Sequence, residues 1–436
     1  MAEQNKIPTG KVQRAGKFIK TGVKVGANFA GHYMKKMTNR PVDEDELSRK
    51  NAEEIFNTLS QLKGSALKIA QMMSMDTGIL PKAYAERFAA AQNSAMALSA
   101  PMVMNTFIKN FGKSPQQIFD KFNMQASFAA SIGQVHEAYK DGQRLAVKVQ
   151  YPGVADSIKS DIALVKPIIL RIAGVSQNAA SPYIEEIETR LIEETDYDME
   201  LHNGMEMQDN ALHVDNIVVP KYYPELSNKR ILTMGWLEGM SLNQFIQEEK
   251  DTDLRTKIGQ SLLDFVHYQI HTRKRFHADL HPGNFLVTKD YQLGVLDFGC
   301  MKSLPEDFYV QYFSLAKPEV REDDNKLREV LQKLDMLRPQ DTPEQDALFF
   351  DVTKSSIDVI ALPMLQDKFY FGDKAYAAQL MAHGESIFND KSFRNDDALR
   401  GSKHGIYLHR TFLGLFTILQ KLDVTLTINR DFISKL

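Results

Sequence analysis

Long hydrophobic runs are missing from this chain. No apolar stretch reaches the roughly 18–20 residues that a membrane-spanning helix needs. The best candidates, 164–175 and 412–419, are short and read as buried helix segments. Cysteine is nearly absent: Cys300 is the only one, so no internal disulfide can form, which fits a reducing compartment. A basic excess is lacking too. The net charge of −3 argues against general nucleic-acid binding, and no nucleic-acid partner is expected. The first residues show no apolar core or cleavage site of a secretory signal. The expected location is cytoplasmic, with peripheral attachment at the inner face of a membrane as an open alternative.

What remains is ordinary globular material. Hydrophobic residues make up 43% and charged residues 25% of the 436 positions, enough for about two to three domain-sized units. Charge is unevenly spread. Residues 1–40 carry nine Lys/Arg and one Glu. Between Val12 and Tyr33 apolar positions recur at roughly helical spacing, with Lys17, Lys20, Lys24 and Lys35 interleaved. Residues 11–36 therefore read either as a basic amphipathic helix on an anionic membrane surface or as a helix packed on its own protein.

Pro41 and the acidic run Asp43–Glu46 mark a linker and a helix start. Helical patterns follow to about Met75, over 82–95 and over 101–111, and Ser114-Pro115 reads as a cap with proline at the first helical position. Near 125 the pattern changes. Apolar stretches 126–139 and 144–150 flank Asp141-Gly142, a hairpin-turn signal. An acidic helix is expected over 181–207, then strands around 216–220 and 230–235. Beyond 240 the chain reads as helical, interrupted by short strands at 284–288 and 292–296. The expected domains are a basic segment 1–40, a helical extension 41–112, a sheet-bearing lobe 113–235 and a mostly helical lobe 236–436. The class is α+β, and the order of elements is that of a two-lobed protein-kinase-like fold with an added N-terminal extension.

The strongest chemical signal is His277-Ala278-Asp279-Leu280-His281-Pro282-Gly283-Asn284, followed by Leu296-Asp297-Phe298-Gly299. Phosphoryl transfer needs a carboxylate beside the attacking hydroxyl, and an amide oxygen and a second carboxylate on Mg²⁺ bridging the ATP phosphates. Asp279 is placed as the first, Asn284 as the second and Asp297 as the third. A lone Asp-Phe-Gly is an ordinary turn tripeptide; the spaced pair of motifs around a short strand is much rarer. Upstream, Ala146-Val147-Lys148 offers a strand lysine for the α- and β-phosphates. Alone it reads as a solvated strand residue; its place in the order gives it meaning. Ile231–Gly239 reads as a strand and connector whose backbone near Met234, Trp236 and Leu237 would read the adenine edge. Trp236 also reads as a buried anchor. The cofactors expected are ATP and Mg²⁺.

Four further features resemble the UbiB/AarF family of atypical kinases and ATPases, over about residues 45–300. Lys63–Ser74 is similar to the family's KxGQ helix, with Lys68 and Gln71 kept and Ala70 where glycine is usual. Phe128-Ala129-Ala130-Ser131 stands where kinases carry a glycine-rich phosphate loop; the family carries alanines there, and Phe128 occupies the first alanine position. Alanine does not take positive φ as glycine does, so such a loop is stiffer. Glu194–Asn203 resembles the family's ExD segment. That likeness implies that Glu200 partners Lys148, and that Glu194 and Asp196 face Lys68 and Gln71. Unaided, the same run reads as a charged helix face. Finally, Leu304-Pro305-Glu306 starts a helix soon after Asp-Phe-Gly, leaving no long activation segment for a peptide substrate.

The resemblance implies an ATP-dependent atypical kinase or ATPase that supports isoprenoid quinone synthesis or lipid metabolism, with a lipid or quinone precursor among its partners. A small-molecule or lipid phosphotransferase, and a kinase-fold scaffold without catalysis, are the alternatives. Protein partners are not legible in the sequence.

Overall fold

A computed structural model of the protein describes residues 3–4, 16, 20, 24, 27–28, 44–62, 66, 68–69, 72, 83–84, 87, 97–129, 132–173, 177–389 and 400–436. Gln71, Ala130, Ser131 and most of the basic N-terminal segment lie outside the described residues. The chain divides into two compact units, one of Met1–Leu201 with Tyr222–Trp236, the other of His202–Lys221, Leu237–Phe393 and Ala398–Leu436. Trp236 closes a segment of the first unit and Leu237 opens a segment of the second, to which His202–Lys221 also count.

The first unit is built on a helical extension and a small antiparallel sheet. Helix α1, Glu44–Leu62, repeats apolar residues at Ala52, Ile55, Phe56 and Leu59, the spacing of one buried helix face. That face shares a core with Ala66, Ile69 and Met72 of the KxGQ-like segment and with Ile158, Ile162 and Leu191. A described piece of the basic segment packs here. Lys24 pairs with Glu54 at 2.9 Å, and Asn28 donates to the side chain of fully buried Asn51 at 2.8 Å. Those two side chains thus engage the protein itself.

Helix α2, Ala100–Phe111, leads into the sheet. Strands β1 Lys121–Phe122, β2 Phe128–Ala129, β3 Gly133–Lys140, β4 Gln143–Gln150 and β5 Ile231–Gly235 form it, with β1 and β2 both pairing to β3 and β5 pairing to β4. The β3–β4 turn is Asp141-Gly142, with φ of 50° and 75°. Two successive positive φ values define the hairpin turn whose twist suits antiparallel strands, and glycine meets the second without steric cost. Along β4, Leu145, Val147 and Val149 point into the core while Arg144, Ala146 and Lys148 face the other way. The strand period of two therefore puts Lys148 on the open face.

Two helices, α3 Val154–Ala173 and α4 Gln177–Glu194, follow β4. The acidic helix expected over 181–207 is broken: α4 ends at Glu194 and α5, Tyr197–Ala211, begins three residues on. Asp196 causes the restart. Its Oδ1 accepts the backbone N–H groups of Asp198 and Met199 at 3.2 and 3.3 Å, which caps the new helix.

In the second unit, strands β6 Gly239–Ser241, β8 Phe285–Thr288 and β9 Leu293–Val295 pair antiparallel in the order β6-β8-β9. Ile217–Val218 adds a parallel edge to β9. Between them in sequence, β7, Arg275–His277, pairs with β10, Met301–Ser303. Helix α6, Thr252–His267, starts on an Asp251 cap and buries Ile258, Leu262, Phe265 and Val266. Helices α7 Glu306–Ser314, α8 Pro343–Ala361 and α9 Lys403–Leu422 make up much of the rest. Among the described residues, no helix is long and apolar enough to cross a membrane.

Candidate functional site

Lys148 extends from the open face of β4 to Glu200 on α5. Its Nζ donates to both carboxylate oxygens, at 2.8 and 2.9 Å. Glu200 is 1% exposed and the lysine side chain 14%. A carboxylate shielded this well is stable only when its charge is matched and its lone pairs are bonded, and Lys148 does both. The ammonium also sits 5.1 Å from the centroid of the buried Tyr197 ring, one turn earlier on α5. Tyr197 also packs closely on the start of β3: a side chain at Gly133 would meet the Tyr197 hydroxyl at 2.7 Å and the Val149 carbonyl at 2.9 Å. Glycine at 133 is therefore a packing requirement, one that sequence spacing does not signal.

The extension contributes a second ion pair in the same unit. Lys68 Nζ lies 2.8 Å from Glu194, both partly shielded. Asp196 is partly buried and serves as the α5 cap; Gln71, its implied neighbour, is outside the described residues.

The connector residues behave differently from one another. Met234 is buried and lies opposite Ala146 in the β4–β5 register. Trp236 is partly exposed, which corrects the buried-anchor reading, and its N–H donates to the Arg144 carbonyl at 3.0 Å. That donor is thus committed to the sheet and cannot read an adenine edge. Leu237 belongs to the second unit, where its side chain approaches Gly294 of β9.

The second unit holds Asp279, Asn284 and Asp297, all partly exposed beside buried neighbours. Four hydrogen bonds set their positions. His277, 1% exposed, places Nε2 at 2.8 Å from the Asp297 carbonyl oxygen, while its Nδ1 accepts the Asp279 N–H at 3.1 Å. A carbonyl can only accept, so Nε2 carries the proton and the ring is the neutral tautomer. Asn284 Nδ2 donates to the Asp279 carbonyl at 3.0 Å, so Oδ1 is the atom with which this side chain could ligate a metal. The Asp297 carboxylate accepts the Gly299 N–H at 2.9 Å. Behind them, Asn203 donates to the Phe298 carbonyl at 2.9 Å and accepts from Arg275. Phe298 itself is fully buried and anchors the turn. His277 and Asn203 were visible in the motifs, yet only their hydrogen bonds reveal them as positioning residues.

No cluster of three or more His, Cys, Asp or Glu suited to a metal occurs among the described residues. The chemistry of Asn284 and Asp297 still fits Mg²⁺, a hard cation usually held by one or two carboxylates together with substrate phosphates. A cavity of about 90 Å³ lies elsewhere, among Tyr312, Phe313, Ile357, Ile360, His409 and Phe412. It shares no residue with the motifs, and its apolar walls suit no triphosphate. Burial there holds the His409 imidazole down to about 4.

The sheet with its lysine–glutamate pair, and the HxD, Asn and Asp-Phe-Gly set on short strands of a helical unit, define an α+β two-lobed protein-kinase-like fold. Residues 90–331, more than half of the chain, match the ABC1 atypical kinase-like domain, and the protein belongs to that family. The probable serine/threonine-protein kinase abkA of Dictyostelium discoideum is 29% identical over 398 residues, covering 84% of this chain and 68% of that protein. The mitochondrial atypical kinase COQ8 of Saccharomyces cerevisiae is 26% identical over 438 residues, covering 97% of this chain and 84% of the relative. Among solved structures, the erythromycin complex of Rv3197 from Mycobacterium tuberculosis aligns with a TM-score of 0.60 at 23% identity, over 90% of this chain and 96% of that one. At that identity the likeness speaks to the fold alone.

Proposed function

We propose that this kinase-like protein binds Mg-ATP and acts as an atypical kinase or ATPase rather than a conventional protein kinase. The observation that carries the reading is the bidentate Lys148–Glu200 pair, with its carboxylate removed from water. A structural surface lysine has no need of such a partner, whereas a phosphate-binding lysine must be held in one rotamer. In the proposed mechanism Lys148 neutralises the α- and β-phosphates. Asn284 and Asp297 would hold the metal, which would supply charge neutralisation to the phosphates. Asp279 orients the attacking hydroxyl or water, and His277 keeps Asp279 and Asp297 in register. Ala129, at the end of β2, and the Ala130 and Ser131 that follow it in sequence would serve the phosphates. The Lys68–Glu194 pair restrains the KxGQ-like segment, and with Asp196 and Gln71 it forms a regulatory set that disfavours peptide substrates.

The names of relatives and the family resemblance support a role in isoprenoid quinone or lipid metabolism, with a lipid or quinone precursor as partner. Thermal unfolding with and without Mg-ATP tests the nucleotide reading. A ligand at 100 times its Kd stabilises a protein by about 2.7 kcal/mol. A shift is expected for the parent and not for Asp297→Asn. No shift for the parent would remove the nucleotide from the account.

A further inference from the structure

Phe128 stands where the family resemblance calls for alanine, so its ring is a feature of this chain. Large aromatic rings are seldom left open to water, yet this one is 62% exposed. The register says which face it joins. Phe128 lies opposite Val135, and Val135 lies opposite Lys148. Directly opposed residues share a face of the sheet, so Phe128 and Lys148 stand on the same one. The adjacent row on that face runs Glu137, Ala146, Met234. Ala146 is its smallest side chain and leaves a shallow floor.

On the same face, the Trp236 ring stacks beside the Phe128 ring, with centroids 6.2 Å apart and planes at 30°. Trp236 is held in place. Its N–H is bonded to Arg144, and the Arg144 guanidinium lies 4.4 Å from its ring centroid. Arg144 is itself fixed by Glu137 at 2.7 Å, and Tyr139 donates to the same carboxylate oxygen at 2.9 Å. One ring is thus anchored, the other sits exposed on the strand entering the phosphate loop, and the lysine shares their face.

We propose that Phe128 is the base-stacking residue of the nucleotide site, presenting its exposed ring beside Trp236 on the Lys148 face of the sheet, so that the site recognises its ligand by a planar heteroaromatic base as well as by phosphate. This rests on the nucleotide reading above. Stacking explains how a base is held when the Trp236 N–H is committed to the sheet. It favours purines, which offer the larger ring face.

Trp236 is the only tryptophan in the chain and reports on the site directly. The full-length protein would be titrated with Mg-ATP and with Mg-bound inorganic triphosphate, by calorimetry and by tryptophan fluorescence. Mg-ATP is expected to change Trp236 emission saturably, and triphosphate is expected not to. Phe128→Ala is expected to weaken Mg-ATP binding about tenfold, with triphosphate affinity unchanged, whereas Phe128→Tyr keeps the parent affinity for both. If the parent binds ATP and Phe128→Ala binds it equally well, or loses both ligands alike, the stacking role is overturned while the nucleotide reading stands. If the parent binds neither ligand, both fall.

Discussion

His277 Nε2 and the main-chain carbonyl oxygen of Asp297 are 2.8 Å apart and twenty residues apart in sequence, with the imidazole buried. Because the other ring nitrogen accepts from the Asp279 N–H, one imidazole ties the two acidic motifs together. Replacing it should loosen both carboxylates without removing either. His277→Ala is expected to lower ATP turnover by about tenfold or more, since losing even one transition-state positioning bond worth about 1.4 kcal/mol costs that factor. The matching control is folding, followed by far-ultraviolet circular dichroism. A variant that folds and turns over at the parent rate would remove His277 from the positioning role.

The Lys148–Glu200 pair separates structure from function in a double variant. Lys148→Met leaves Glu200 as a shielded, uncompensated carboxylate and is expected to cost about 3–5 kcal/mol of stability. Lys148→Met with Glu200→Leu removes both charges and should recover much of that loss in urea melts. Nucleotide binding should stay absent in both. Recovered stability together with recovered Mg-ATP binding would show that the pair serves packing alone.

The Lys68–Glu194 contact is partly open to solvent, so its strength should depend on salt. Glu194→Lys places two cations together and should destabilise the extension by about 1 kcal/mol at low ionic strength. The charge swap Lys68→Glu with Glu194→Lys should restore most of it. The check is a double-mutant cycle run at low and at high salt. A coupling energy that is nil at low salt would mean that the pair does not act.

His267 is buried, and loss of hydration holds its imidazole down to about 4, opposed by a backbone bond to Asn429. Burial lowers His409 to about 4 as well. A depressed folded pKa means that the unfolded chain binds the proton first as pH falls. Stability is therefore full above about 6.5, declines between about 6.5 and 4, and levels off below that as far as these groups are concerned. For His267 the whole effect is on the order of 3 kcal/mol. Urea unfolding at pH 7 and pH 5 should show the decline, and His267→Asn should lessen it. Equal slopes for parent and variant would show that His267 does not contribute.

The motifs around Asp279, Asn284 and Asp297 are legible as a candidate site because phosphoryl transfer would fix both residue type and spacing along a short strand pair. The Asp141-Gly142 hairpin was legible because its positive φ values admit few residues. The break between Glu194 and Tyr197 was not: Asp196 reads as one more acid in a charged run until its oxygen is seen on two backbone N–H groups. Nor was the commitment of the Trp236 N–H, which depends on strand register.

The amino-acid sequence by itself determined the chemistry on offer, since a carboxylate, an amide and a lysine are properties of single residues and their order survives without coordinates. Only the tertiary structure decided which of them are paired. The Lys148–Glu200 contact spans 52 residues and the His277–Asp297 contact 20, and such bonds exist because packing shields their partners from water, which no local pattern encodes.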